Sequence, residues 1–490
     1  MNNGIANISV RVKGYNMAQT SLSTTIKADK NAKSKTFGMV VRRVSSLAIA
    51  VTCGVVSVMM ASAAQATLPI QHWQTEKGAK VYFVENHDLP LLDINVDFVA
   101  GSSRDDPAKS GAASLVLHML DLGAAGLSDD EISRSIADVG AELGGHFDRD
   151  RAGVSLRTLS AERERKQSLG ILAKVLQQPD FPQPVLEREK ARIIAALKEA
   201  ETQPASIGDK AFYAALYGNH PYALQPSGEV ATVSLLTRDD LTTFYRANYT
   251  AGSAVIALMG DISRAEAEAI ARQVSDSLPP SITAKVLPDV PALTAEVDKY
   301  IPHPASQSHI LMGEPGVRRG DPDYFPLLVG NYVLGGGGFD SRLTNEVREK
   351  RGLAYSAYSY FMPMSQEGPF QIGLQTKKEQ TDEAIKIVRS VLKDFIAKGP
   401  TAAELKQAKN NLMGGFPLRI DSNKKILEYL TVIGFYGLPL TYLDDFVGNV
   451  EKVSLVNIKQ AFARHVHPDR MVLVVVGGGK QADKVEQPVK

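Results

Sequence analysis

The spacing of apolar and polar positions changes period along the chain in a recurring order. Lys80 to Asn86 ("KVYFVEN") and Leu91 to Gly101 ("LLDINVDFVAG") are β-rich runs that alternate or stay apolar, and they predict strands. "GAASLVLHML" (Gly111 to Leu120) follows with helical spacing, then a further strand in "AGVSLRTLS" (Ala152 to Ser160). "VLEREKARIIAALKEAETQP" (Val185 to Pro204) is apolar at helical intervals and charged between, the pattern of a long surface helix. Short links between the early strands predict hairpins. The succession gives an α+β class, helices packed against a mixed or antiparallel sheet.

The same order occurs twice. "LTRDDLTTFYRANYTAGSAVIALMG" (Leu236 to Gly260) lies on "VSLVNIKQAFARHVHPDRMVLVVVG" (Val453 to Gly477) without a gap, at an offset of 217 residues. Leu241 meets Ile458 and Tyr245 meets Phe462, so each copy reads as a Thr- or Ser-capped amphipathic helix followed by a buried strand ending in Gly. At the same offset Glu187, Ala191 and Arg192 fall on Glu404, Ala408 and Lys409. The chain is therefore expected to hold two homologous domains of about 200 residues. They would span 67–277 and 297–480, with a Pro-punctuated linker at 278–296 and a polar tail at 481–490.

Composition changes this picture mainly at the N-terminus. Across 490 residues, 55 Lys and Arg balance 54 Asp and Glu, which gives no basic surplus for nucleic acid. Arg42 and Arg43 precede the apolar run "LAIAVTCGVVSVMMA" and the small-residue site Ala64-Gln65-Ala66, the order of a secretory signal. A signal peptide is expected at 39–66, opened by Met39 and cut after Ala66. Residues 1–38, polar and patternless, are expected to be disordered or an over-long start. The run is short for a spanning helix, so no stable membrane anchor is expected, and an uncleaved signal is the minor alternative. The mature protein would be periplasmic. Cys53, the single cysteine, lies in the segment to be removed, leaving neither disulfide nor thiol chemistry.

On the helix beginning at Gly111, Ser114, Leu117 and His118 share one side, the spacing of a zinc peptidase, yet only His118 is a ligand type. One imidazole cannot supply the three protein ligands of a catalytic zinc. His118 alone reads as a core histidine with one hydrogen bond. The wider order of motifs carries a resemblance: "GAASLVLHML", "GGHFDRD" (144–150), the long helix, "HPYALQPSGE" (220–229) and "LGGGGFDSRLTNEVREKRGLAYSAYS" (334–359). Over residues 70–480 the chain resembles the insulinase (pitrilysin) family of zinc peptidases.

That resemblance implies an inverted motif H-x-x-E-H whose two histidines bind zinc while the glutamate acts as general base. Matched here, the first histidine falls on Ser114, the glutamate on Leu117 and the second histidine on His118. The family's third ligand falls on Ala196; Glu189 and Glu199 are near in sequence but are expected to point elsewhere. No metal is expected on this chain. The resemblance also implies that Arg348 and Tyr355 reach the scissile peptide and support its oxyanion. The glycines Gly335, Gly336, Gly337 and Gly338 would form a loop that approaches or admits a peptide. Asp148 and Arg149 replace the family's usual pair on a peptide-binding sheet edge. His146 beside them is expected at the surface.

The other histidines (His220, His303, His309, His465 and His467) show no metal spacing on one helix face. Trp73 reads as an anchor near the mature N-terminus. The expected function is a non-catalytic, substrate-binding and transition-state-supporting subunit of a periplasmic metallopeptidase. The resemblance implies a partner chain carrying an intact H-x-x-E-H and its zinc. A non-hydrolytic peptide-binding or assembly protein is the alternative, and a self-sufficient zinc endopeptidase the remote one.

Overall fold

A computed structural model describes residues 69–280 and 286–478. The expected leader and signal, Cys53, linker residues 281–285 and the tail 481–490 lie outside the described residues.

In the first half the chain runs β1 (Gln71–Gln74), β2 (Lys80–Glu85), β3 (Leu91–Phe98), α1 (Ala112–Met119), β4 (Glu142–Phe147) and β5 (Ala152–Leu159). It continues through α2 (Glu162–Gln177), α3 (Gln183–Ala200), α4 (Pro204–Tyr217), α5 (Arg238–Asn248), β6 (Val255–Gly260) and α6 (Arg264–Ser275). The second half runs β7 (Val297–Pro302), β8 (Gln307–Val317), α7 (Tyr324–Asn331), β9 (Ala354–Phe361) and β10 (Gly368–Lys377). It ends with α8 (Thr381–Lys398), α9 (Ala402–Gly414), α10 (Asn423–Tyr436), α11 (Leu455–His465) and β11 (Val472–Gly477).

The duplication is visible strand by strand. The first sheet is ordered β1-β2-β6-β3-β5-β4, and the second, β7-β11-β8-β10-β9, repeats it without β1. The closing strand β6 pairs parallel to β2 and antiparallel to β3, as β11 does with β7 and β8. The capped helices also match: Thr237 accepts from the Asp240 N–H, and Ser454 from that of Asn457. Both closing strands end in glycine because backbone crowds there. A Cβ on Gly260 would stand 2.1 Å from the Leu91 carbonyl oxygen, and one on Gly477 2.8 Å from Ser308.

One expectation needs correction. The short link between β2 and β3 does not make a hairpin, because β6 inserts between them and pairs with both. Neither sheet is covered by its own helices alone. From the first half, α4 lays Phe212, Leu216 and Tyr217 against Leu311, Val474 and Val476 of the second sheet. From the second, α10 lays Leu427 and Leu430 against Val84, Ala257 and Met259 of the first. All six residues of β6 and of β11 are buried for this reason, apolar on both faces. Each such side chain contributes roughly 2 kcal/mol. From Thr67 on, the chain forms one compact unit. The described part of the linker joins it, with Leu287 buried against the α4 cluster.

Candidate functional site

The helix that carries the altered zinc motif is anchored at its N-terminus by a buried acid. Asp105 accepts the N–H groups of Gly111 and Ala113, both at 2.8 Å, and Gly111 takes the left-handed conformation that opens α1. Burial pushes the Asp105 carboxyl up to about 7, against the lowering effect of those two donors.

On α1, Ser114 and Leu117 are half-buried, and His118 is not a core residue: 43% of its side chain is exposed. The helix turns its buried side to the sheet through Leu115, Val116 and Met119, which leaves His118 facing α3. There its Nε2 lies 2.8 Å from Glu189 Oε2. Glu189 does not point elsewhere. It stands two turns before Ala196 on one face of α3. Ala196 is exposed.

Glu189 is 1% exposed and fully subscribed: its two oxygens accept Arg188 and Arg192, each at 2.8 Å, as well as His118. Burial raises its carboxyl, but the bonds from His118 and Arg188 outweigh that and hold it below the usual range. This donor set does not fit a tetrahedral zinc. One imidazole stands beside one carboxylate already neutralised by two guanidinium groups, and Ser114 and Ala196 occupy the remaining ligand positions. At the base position Leu117 has no group that can take a proton. Its methyls lie 3.6 and 3.7 Å from where a Cβ on Gly145 of β4 would stand, so an apolar surface faces the edge strand.

That edge is open. β4 pairs with β5 on one side only, and Gly144 and Gly145 leave its middle without side chains. Asp148 and Arg149 are turned away to other tasks. Asp148 Oδ1 accepts the N–H groups of Asp150 and Arg151, which closes the turn after β4. Arg149 donates to the Tyr222 carbonyl at 3.0 Å and stacks 3.6 Å from the Tyr213 ring centroid. His146 is more than a surface residue: its Nε2 lies 2.8 Å from Oδ1 of buried Asp97, where Gly153 leaves room for the ring.

In the second half, Arg348 and Tyr355 are brought together. The Arg348 guanidinium carbon stands 5.0 Å from the Tyr355 ring centroid and 4.8 Å from that of Phe339. Phe339 is 71% and Tyr355 83% exposed. A bulge between Ala354 and Ala357 lifts Tyr355 off the ladder to β10. π-helical turns at Tyr332–Gly336 and Thr344–Glu349 flank the group.

The glycine run is fixed for most of its length. A Cβ on Gly335, Gly336 or Gly337 would meet Ser359, Asn331 or Tyr332 at 2.3 to 2.7 Å. Asn331 and Ser359 clasp each other at 3.0 and 2.7 Å beneath it. Only Gly338, at φ 62°, is free of neighbours.

Three features had no clear signal in the chain. Phe339 is marked only by its place after the glycines. Asp150, 2% exposed, joins the two halves: it accepts Tyr222 at 2.6 Å from the first, and Tyr436 at 3.0 Å and the Ser365 N–H at 2.7 Å from the second. Asp321, Asp323 and His465 form the one grouping of three metal-type side chains among the described residues. Arg464 already holds Asp323 with two bonds, at 2.8 and 2.7 Å. Two other histidines brace the fold. Buried His220 accepts the Tyr222 N–H and lies 3.0 Å from the Pro288 carbonyl, burial lowering its pKa. His467 bonds Glu314 at 2.9 Å.

Residues 80–228 match the insulinase family, peptidase family M16, and residues 235–412 match the peptidase M16 inactive domain. A crystal structure of a peptidase M16 inactive domain from Pseudomonas fluorescens is 39% identical, with a TM-score of 0.81, over 84% of this chain and 98% of that one. A Helicobacter pylori protein described as the non-peptidase homolog YmxG is 26% identical over 82% of this chain and 92% of its own length. An uncharacterized zinc protease of Streptomyces coelicolor, SCO5738, is 26% identical over 79% of this chain and 86% of its length. With the base position held by Leu117 and the carboxylate nearest His118 tied to two arginines, the chain belongs to the insulinase family, peptidase family M16, as an inactive-type homologue.

Proposed function

We propose that this protein is the non-catalytic subunit of a two-chain metallopeptidase. It binds an extended peptide and supports the transition state, while a partner chain with an intact H-x-x-E-H supplies zinc and base. The exposed stack of Phe339, Arg348 and Tyr355 carries this reading. A guanidinium held between two aromatic rings and a phenol lifted on a bulge are suited to gripping a peptide carbonyl as it becomes an oxyanion. The open β4 edge offers backbone groups to an extended chain. Among the described residues no helix is long and apolar enough to cross a membrane. The leader at 39–66 is taken as an export signal, and the complex is placed in the periplasm on that basis.

Metal analysis and peptide hydrolysis on the protein alone, and again on the complex isolated with its partner, test the proposal. The expected result is no zinc and no hydrolysis alone, with stoichiometric zinc and activity in the complex. Stoichiometric zinc and chelator-sensitive activity in the single chain would refute it.

A further inference from the structure

Among the described residues, the second half shows no counterpart of two elements that flank β2 in the first half. In the first sheet the outer strand β2 is covered by β1, with Trp73 opposite Val81 and 6.5 Å, edge to face, from Phe83. Helix α6 packs on α2 and β2 beside it, and Arg264 of α6 lies 3.6 Å over the Trp73 ring. At the offset of 217, β2 becomes β7, and the corresponding helix is α8. Among the described residues nothing corresponds to β1 or α6 there. The residues preceding β7 lead away instead, with Val290 and Leu293 packed on the α4 cluster.

What remains is a groove of about 690 Å³ between β7 and α8. Its outer wall is a strand edge that no other described strand pairs with. Val297 donates its N–H to Met471, towards β11, so Asp298 and Tyr300 present theirs away from the sheet. Tyr300, the counterpart of Phe83, forms an apolar patch with Ile385 and Leu473. The charges are unequally used. Arg389 is engaged by Glu296 and Asp298, and Asp394 by Lys398, whereas among the described residues Lys386 and Lys393 have no anionic ion-pair partner and, of the groove's carboxylates, only Asp382 lacks a cationic one.

We propose that this groove is a docking site for an extended segment of a separate polypeptide, added antiparallel to β7 as β1 is added to β2. The segment carries one aromatic side chain that lies against Tyr300, with acidic residues on either side to meet Lys386 and Lys393. Backbone pairing along the edge would give affinity, and the aromatic anchor and the two lysines selectivity. β7 and β9, which carries Tyr355, are opposite edges of the second sheet, and β4 belongs to the first; the inference does not depend on the proposed function.

The probe is a fluorescein-labelled heptapeptide, Glu-Gln-His-Trp-Gln-Thr-Glu, titrated with the full chain and followed by anisotropy. Saturable binding in the micromolar range is expected, lost when Ala replaces the Trp. Lys386→Glu with Lys393→Glu should weaken it by at least about tenfold, since both cations become repulsive. Asp298→Pro, which removes an outward N–H but no bond to β11, should abolish binding, whereas Asp298→Asn keeps it within about threefold. No saturation up to about 1 mM, or binding indifferent to all these changes, overturns the proposal. So does self-association of the unlabelled protein that the lysine changes remove, which would make the occupant a second copy. Binding gained only on deletion of residues 479–490 would assign the groove to this chain and overturns it equally.

Discussion

His118 Nε2 stands 2.8 Å from Glu189 Oε2, and in that contact the two ligand-type side chains of the altered motif satisfy each other. The pair is a strut between α1 and α3, with Arg188 and Arg192 completing the shell of Glu189. Glu189→Ala is expected to destabilise the protein by about 1–3 kcal/mol, because a buried acceptor disappears from beneath three donors. Chelators should leave the wild type unchanged. The triple change Ser114→His, Leu117→Glu and Ala196→Glu should create stoichiometric zinc binding, read by elemental analysis. Zinc on the wild type, or none on the triple variant, would contradict this account of the site.

Asp105 predicts a pH dependence. Its carboxyl is raised from 3.8 to about 7 in the folded protein, so the folded state holds a proton that the unfolded chain has released. Its contribution to stability is fully present below about 4 and is lost as the pH rises through about 7. The size is of the order of 2–4 kcal/mol. Urea unfolding of the wild type and of Asp105→Asn between pH 5 and pH 8 should show the wild type losing stability relative to the variant as pH rises. A constant difference would mean that the two N–H donors keep the group ionised throughout.

The bonds at Asp150 should couple the halves. Tyr436→Phe removes one donor and should cost about 1 kcal/mol, while Asp150→Ala strips three donors of their acceptor and should cost about 3 kcal/mol or more. Both variants should still melt in one transition, because α4 and α10 bind the halves independently of this network. Two separated transitions in Asp150→Ala would assign the joining of the halves to the network instead.

The exposed stack predicts activity loss without stability loss. Arg348→Ala and Tyr355→Phe are expected to stay within about 0.5 kcal/mol of wild-type stability. In the proposed two-chain complex each should lower kcat by about 100-fold, the usual effect of removing an oxyanion donor. Phe339→Ala should raise KM more than it lowers kcat, since that ring holds the guanidinium and touches no reacting atom. Unaltered hydrolysis in all three variants would remove this group from the mechanism.

Much of the architecture was legible in local pattern. The offset of 217 puts α5 on α11 and β6 on β11 with matching ends, because caps and terminal glycines are set by short-range backbone geometry. Leu117 at the base position was equally plain. What escaped depends on distant partners. The insertion of β6 between β2 and β3 joins residues separated by most of the first half, and no local period encodes it. Glu189 was missed because family spacing pointed two turns further along the same face of α3. The glycine run looked like a loose loop, and only its neighbours Asn331, Tyr332 and Ser359 reveal a packed one.

The exchange of α4 and α10 between the sheets carries a statement about ancestry. Before duplication, a single unit of about 200 residues would have left one face of its sheet bare, apolar on the side where the exchanged helix now lies. Two copies trading that arm would have closed both faces at once, as domain-swapped dimers do. Fusion of the genes would then have tethered a symmetric pair that already existed. Freed from identity, one copy could lose its reactive groups while the shared scaffold stood, since the chemistry and the closure of the fold were never the same residues.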